Sequence, residues 1–223
     1  MGDILATYGD DILKAFWVTI QLAVLSTIGS LVLGTVIAVL RLSPVRILRL
    51  LGTWYVNVFR NMPLTLLMVF SILGLTYILG IQLDAADVKT NAFRWAVVML
   101  SVYHGAFICE ALRSGVNTIP VGQAEAARSI GLTFGQSMRE VLLPQAFRGS
   151  IAPIGSTIIA LTKNTTVAAV IGVGEAANLM SVVIDNKGSG IEVFLPFAIG
   201  FVILTLPVGL GFTTMSRRLA VKR

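Results

Sequence analysis

Residues 13–40 read LKAFWVTIQLAVLSTIGSLVLGTVIAVL, twenty-eight positions holding one charged side chain, Lys14. An α-helix rises about 1.5 Å per residue, so roughly twenty apolar residues cross the ~30 Å hydrocarbon core of a bilayer. This run exceeds that length, and the first membrane span is expected from about Leu13 to Leu40. Four further apolar runs follow, at about Tyr55–Ile81, Arg94–Leu112, Ile151–Ile171 and Val193–Thr213. Across all 223 residues 56% are hydrophobic and only 13% charged, about half the charged share of a soluble domain. The mean hydropathy is +0.86. A water-soluble fold of this size could not hide so much apolar surface. The expectation is an all-α membrane protein, one transmembrane domain of five helices over residues 1–223.

Charge sets the expected orientation. Arg41, Arg46, Arg49 and Arg60 flank the gap between the first two runs; Arg113, Arg128, Arg139 and Arg148 lie between the third and fourth; Arg217, Arg218, Lys222 and Arg223 close the chain. These are twelve of the seventeen Lys and Arg residues. The remaining loops hold Asp84, Asp87 and Lys89, then Asp185, Lys187 and Glu192. Lys and Arg accumulate on the cytoplasmic side, so the N-terminus is expected outside and the C-terminus inside the cytoplasmic (inner) membrane, as five crossings require. The net charge of +6 is distributed in short clusters between apolar runs. That pattern fits topology and anionic lipid headgroups, and no nucleic-acid partner is expected. Asp3, Asp10 and Asp11 stand where a secretory signal would be positive, so the first helix is expected to stay in the mature protein.

Covalent chemistry finds little support. There is no GxxxxGK[ST] phosphate loop, and Gly172-Val173-Gly174 lacks a preceding strand. One cysteine, Cys109, and one histidine, His104, supply neither a disulfide nor metal-ligand spacing. The chain is expected to be no enzyme and to hold no metal or cofactor.

Polar residues at membrane depth are costly and face cavities or partners. Lys163, Asn164, Thr165 and Thr166 form such a run, read as lining a polar passage, or else as Lys163 snorkelling outward while the threonines bond back to the helix. Glu110 and Arg113 have the i,i+3 spacing of a local ion pair, with a pathway role as the alternative. His104 suits hydrogen-bonded packing or substrate contact. Asn57, Arg60, Asn61 and Pro63 make a polar turn in which Pro63 should end or kink the helix. The stretch from Gly172 to Asn186 reads as a short helix on the outer face, a lid or a plain connector. Nearly forty residues, Arg113 to Ser150, form a structured cytoplasmic loop with a helix bounded by Pro120 and Gly131.

That loop holds Glu125-Ala126-Ala127, three residues, Gly131, nine residues, Val141, one residue, then Leu143-Pro144. The pattern resembles the EAA signature of the permease subunits of bacterial ABC importers, with valine in place of isoleucine at Val141. Arg60-Asn61-Met62-Pro63-Leu64, Glu110-Ala111-Leu112-Arg113-Ser114-Gly115 and Lys163-Asn164-Thr165-Thr166 resemble the RxxP, E-x-x-R-x-G and K-[DN]-[TS]-[ST] segments of polar amino-acid permeases, actinobacterial glutamate importers in particular. The resemblance covers essentially the whole chain.

It implies a type I ABC importer permease of MetI-like fold. Glu125, Ala126, Ala127, Arg128, Gly131 and Pro144 would belong to the coupling region that docks on a dimer of separate ATPase subunits, which bind the ATP and Mg. A second permease chain, a paralogue, and an extracytoplasmic amino-acid-binding protein would complete the complex. Lys163, Asn164, Thr165, Thr166, Glu110, His104, Asn57 and Arg60 are the candidate substrate pathway. Many relatives carry aspartate after the lysine; Asn164 leaves Lys163 uncompensated, which favours glutamate or aspartate as cargo. Competing readings are an ion-coupled secondary transporter, which usually shows internal repeats absent here, and a membrane scaffold, which need not bear the cost of the Lys163 run.

Overall fold

The structure, a computed structural model, describes residues 2–43, 45–188 and 190–219; Lys222 and Arg223 of the basic tail lie outside the described residues. Among the described residues every regular element is helical. The elements are α1 (Gly2–Leu42), α2 (Arg46–Asn61), α3 (Leu64–Phe70) continued by a π-helical stretch (Ser71–Ile78), α4 (Val88–Asn117), α5 (Val121–Ser129), the single turn α6 (Phe134–Gln136) with a π-helical stretch (Ser137–Leu142), α7 (Leu143–Asn164) continued by a 3-10 stretch (Thr165–Ile171), α8 (Ala176–Lys187) and α9 (Ile191–Leu219).

α1, α4, α7 with its neighbouring turns, and α9 are each long and apolar enough to cross a membrane, and the bent pair α2–α3 with its π-helical continuation meets the same test when its two halves are taken as one span, for five in all. The spans are longer than their apolar runs. α1 starts at Gly2 rather than Leu13, and its 41 residues measure about 60 Å, twice the hydrocarbon thickness. The extra turns persist because Ile4 and Ile12 are buried against Ala176, Val183, Val193 and Phe197 of α8 and α9. α4 begins at Val88 rather than Arg94, because Asp87 caps it, accepting from the amides of Lys89 (3.2 Å) and Thr90 (3.0 Å). The Thr90 hydroxyl, then the Thr90 and Lys89 amides, hold the Asp87 carboxyl below its ordinary value. α4 runs on to Asn117 and α7 starts at Leu143, so the expected loop of nearly forty residues shrinks to Thr118–Leu142, itself mostly helical.

The expected single helix from Tyr55 to Ile81 is replaced by two helices meeting at 98°. Pro63 has no amide proton, and its ring drives Met62 to extended backbone (φ −94°, ψ 137°), so α2 stops at Asn61. α2 then crosses α4: the Tyr55 hydroxyl donates to the Val102 carbonyl at 2.6 Å, and Val56 packs with Ala38, Ala106 and Cys109. α3 turns away along the other half of α4, burying Leu64, Leu67 and Met68 against Trp95, Ala96, Met99 and Leu100. Asn91 ties down the end of this limb, its Oδ1 accepting from the Leu83 amide at 2.8 Å and the Asp84 amide at 3.2 Å.

α4 is the central post, and small residues let its neighbours approach closely. A Cβ on Gly34 of α1 would lie 2.6 Å from the Ile108 Cβ and 2.8 Å from the Gly105 carbonyl. A Cβ on Gly115 would meet the Ala146 carbonyl and the Ser150 side chain of α7, with the Ser150 amide at 2.8 Å. These contacts bring the C-terminal ends of α1 and α4 and the N-terminal end of α7 together at one end of the bundle, where the arginines gather.

Candidate functional site

α5 hangs from this basic end. Its last turn closes with paired bonds, Gly131 N–H to the Arg128 carbonyl (3.0 Å) and Leu132 N–H to the Ala127 carbonyl (3.1 Å). Gly131 sits at φ +84°, a left-handed conformation that costs a side-chain-bearing residue about 1 kcal/mol or more. The helix therefore spans Val121–Ser129, with Gly131 just beyond it. Only Ala127 is buried; Glu125, Ala126 and Arg128 are exposed. Val121 and Ile130 at its ends, and Leu143 and Phe147 on the first turns of α7, are also exposed, as is Pro144. A helix with small exposed residues and an apolar rim has the surface of a docking element.

Glu110 faces two guanidinium groups. Arg113 reaches it at 3.3 Å, and Arg41 from the end of α1 makes the closer ion pair, also approaching the Cys109 sulfur at 3.9 Å. Sequence spacing exposed the Arg113 pair but not Arg41, which is sixty-nine positions away. The cluster locks α1 to α4 at the basic end.

Further into the bundle a cavity of about 370 Å³ opens between α4 and α7, lined by Tyr103, His104, Phe107, Ser156, Thr157, Ala160 and Asn164. His104 is buried, its Nδ1 3.1 Å from the Leu100 carbonyl and its Nε2 3.2 Å from the Asn164 amide nitrogen. The Arg60 guanidinium lies 5.3 Å from the centre of the Phe107 ring, placing a cation at the rim. Asn57 is exposed one turn earlier, and its carbonyl accepts from the Asn61 side chain at 2.6 Å.

The four polar residues from Lys163 to Thr166, which bridge α7 and its 3-10 continuation, do not share one face. Asn164 enters this cavity, whereas Lys163 and Thr166 line a second, of about 340 Å³, with Phe201, Val202 and Thr205 of α9. Thr165 is fully buried and donates to the Thr162 carbonyl at 2.8 Å, the bond back to the helix that the sequence offered as the alternative to a place on the passage. The Thr166 hydroxyl bonds back to the Lys163 carbonyl at 2.8 Å. The divergence has a local cause: successive helix positions are about 100° apart, and the chain tightens from α to 3-10 at Thr165. Ser156, Thr157 and Ala160 escaped notice in the sequence, although they precede Asn164 by eight, seven and four residues and so lie on its side of the helix.

The stretch after Ile171 contains the short helix expected of it, α8, with its N-terminal end tied down. Gly172 (φ +78°) closes the 3-10 turn, and Glu175, fully buried, caps α8 by accepting from the amides of Asn178 (2.8 Å) and Ala177 (2.9 Å). Thr19 of α1 accepts from the Ala176 amide at 3.1 Å. Burial raises the Glu175 carboxyl above its ordinary value despite these bonds.

Long apolar helices, cavities beside α7 that admit a few polar side chains, and an exposed short helix at the basic end describe a multi-pass membrane protein. Residues 30–221 match the family described as binding-protein-dependent transport system inner membrane component, and the chain belongs to that family. It is 50% identical to the glutamate transport system permease protein GluC of Corynebacterium glutamicum, over 100% of both chains. Among solved structures, it superposes on the crystal structure of an amino acid ABC transporter with histidines with a TM-score of 0.86, covering 96% of each chain at 24% identity. It superposes on an inward facing MetNI methionine ABC transporter with a TM-score of 0.76, over 94% of this chain and 96% of the other at 24% identity. The five-span MetI-like fold expected from the sequence is thus the fold observed.

Proposed function

We propose that the chain imports glutamate, or aspartate, as one half of a permease pair, with ATP hydrolysis supplied by a dimer of separate ATPase subunits docked on α5. The carrying observation is α5 itself, an exposed helix with an apolar rim at the arginine-rich end, which carries the EAA residues Glu125, Ala126 and Ala127 and is closed by Gly131. The full-length likeness to a glutamate transport permease supports the cargo. So do two cations beside the cavities, Arg60 over the Phe107 ring that lines one and Lys163 in the wall of the other. The basic end faces the cytoplasm in this reading, and α8 with the first turns of α1 faces the binding protein outside. A paralogous chain completes the passage, because the cavities beside α7 open at the surface of a single chain.

Glu125→Lys tests the coupling role. The side chain is exposed, so the chain should fold normally, and assembly with the ATPase is checked before uptake is compared. ATP-driven glutamate uptake by the assembled complex should collapse; uptake at the unmodified rate would remove Glu125 from coupling.

A further inference from the structure

The imidazole of His104, the chain's one histidine, settles which way an amide points. The Leu100 carbonyl 3.1 Å from Nδ1 can only accept, so Nδ1 carries the proton. In a neutral ring Nε2 is then a lone-pair acceptor and needs a donor, which the Asn164 Nδ2 supplies at 3.2 Å. With its nitrogen committed, Asn164 turns Oδ1 away from the ring, and among the described residues nothing donates to that oxygen. Asn164 is half-buried and lines the α4–α7 cavity. Thr157 adds a second acceptor there, since its hydroxyl proton is spent on the Pro153 carbonyl at 3.0 Å. An aspartate at position 164 could engage Nε2 only if the ring changed its protonation.

We propose that His104 is a positioning residue that locks the Asn164 amide, and that Asn164 Oδ1 accepts a hydrogen bond from the α-ammonium group of the amino acid in transit. This rests on the reading of the cavity as part of the pathway. A zwitterion with an acidic side chain needs one uncharged acceptor for its ammonium and cations for its carboxylates. The cavity offers acceptors on α7 and the Arg60 guanidinium at its rim. A carboxylate at 164 would grip the ammonium more tightly but repel the two carboxylates.

The test has two arms, both on the full complex in lipid nanodiscs. With only this chain labelled at its histidine, solid-state NMR of the imidazole nitrogens reads one residue. The expected spectrum has Nδ1 protonated and Nε2 bare, with Nε2 becoming protonated in Asn164→Asp. A protonated Nε2 in the unmodified chain overturns the inference. In the second arm, glutamate uptake is measured for Asn164→Leu, His104→Leu, the double variant and His104→Gln, each first checked for assembly. Losing a hydrogen bond to a charged group should lower kcat/KM roughly 10- to 100-fold in Asn164→Leu. The double variant should be no worse than Asn164→Leu, and His104→Gln, whose amide oxygen can accept from Nδ2, should recover part of the loss seen in His104→Leu. Additive losses, or no recovery with glutamine, overturn the positioning role. Unimpaired uptake by Asn164→Leu overturns the inference together with the cavity's place in the pathway. Impaired uptake with a protonated Nε2 overturns the inference alone.

Discussion

Replacing Glu110 with alanine isolates the electrostatics of the basic end. The Arg41 side chain is 11% exposed, against 30% for Glu110 and 32% for Arg113. Removing the carboxylate leaves Arg41 as an uncompensated charge in a mostly buried site, a change that costs about 3–5 kcal/mol. Arg113 is open enough to rehydrate, so Arg113→Ala should cost only about 0–1 kcal/mol. For a chain of this size each kcal/mol moves Tm by roughly 2–4 °C, so Glu110→Ala should lower Tm by roughly 6–20 °C. The double change Arg41→Leu with Glu110→Leu removes both charges, fills similar volume and should restore most of the loss. The assay is thermal unfolding of the purified chain in one detergent, followed by circular dichroism. If Glu110→Ala costs no more than Arg113→Ala, the pair with Arg41 is not what joins α1 to α4, and the reasoning fails.

Two further changes probe other parts of the fold. Gly115→Val should force α4 and α7 apart, because the obstructing atoms include the backbone of Ala146 and Ser150; the overpacking should cost about 1–3 kcal/mol in the same assay, while exposed Ser114→Ala leaves Tm unchanged. Glu175 has its folded pKa raised, so the folded state binds the proton more tightly than the unfolded one. The stability it gives is whole below the ordinary carboxylate pKa and declines as pH rises through the folded value. Hydrogen exchange at the Ala177 and Asn178 amides should therefore be better protected at pH 5 than at pH 7, after correction for intrinsic rates, and Glu175→Gln should abolish the difference.

What the sequence revealed depended on the range of the interaction. The spans were legible because the bilayer imposes a local rule, a run of apolar residues long enough to cross it. The helix ends were less legible: the apolar count stops at charges such as Asp10 and Asp11, whereas the helix continues as long as Ile4 and Ile12 find partners on α8 and α9. Pro63 announced a break but not its angle, which follows from α2 and α3 packing on different parts of α4. At the candidate site, Glu110 with Arg113 was visible through helical spacing and α5 through its motif. Arg41 against Glu110 and His104 against Asn164 join distant parts of the chain, and no local pattern encodes them. Of the two readings of the Lys163–Thr166 run, the bonds of the threonines back to the helix are observed, and Thr165 points into the core because consecutive helix positions point in different directions.

Glutamate uptake into proteoliposomes carrying this chain with candidate ATPase, second-permease and binding-protein subunits tests the proposed importer most directly. Uptake that requires ATP and every component, and that survives collapse of ion gradients by ionophores, is the predicted result. Uptake by the chain without an ATPase, driven by an ion gradient and abolished by ionophores, would contradict it.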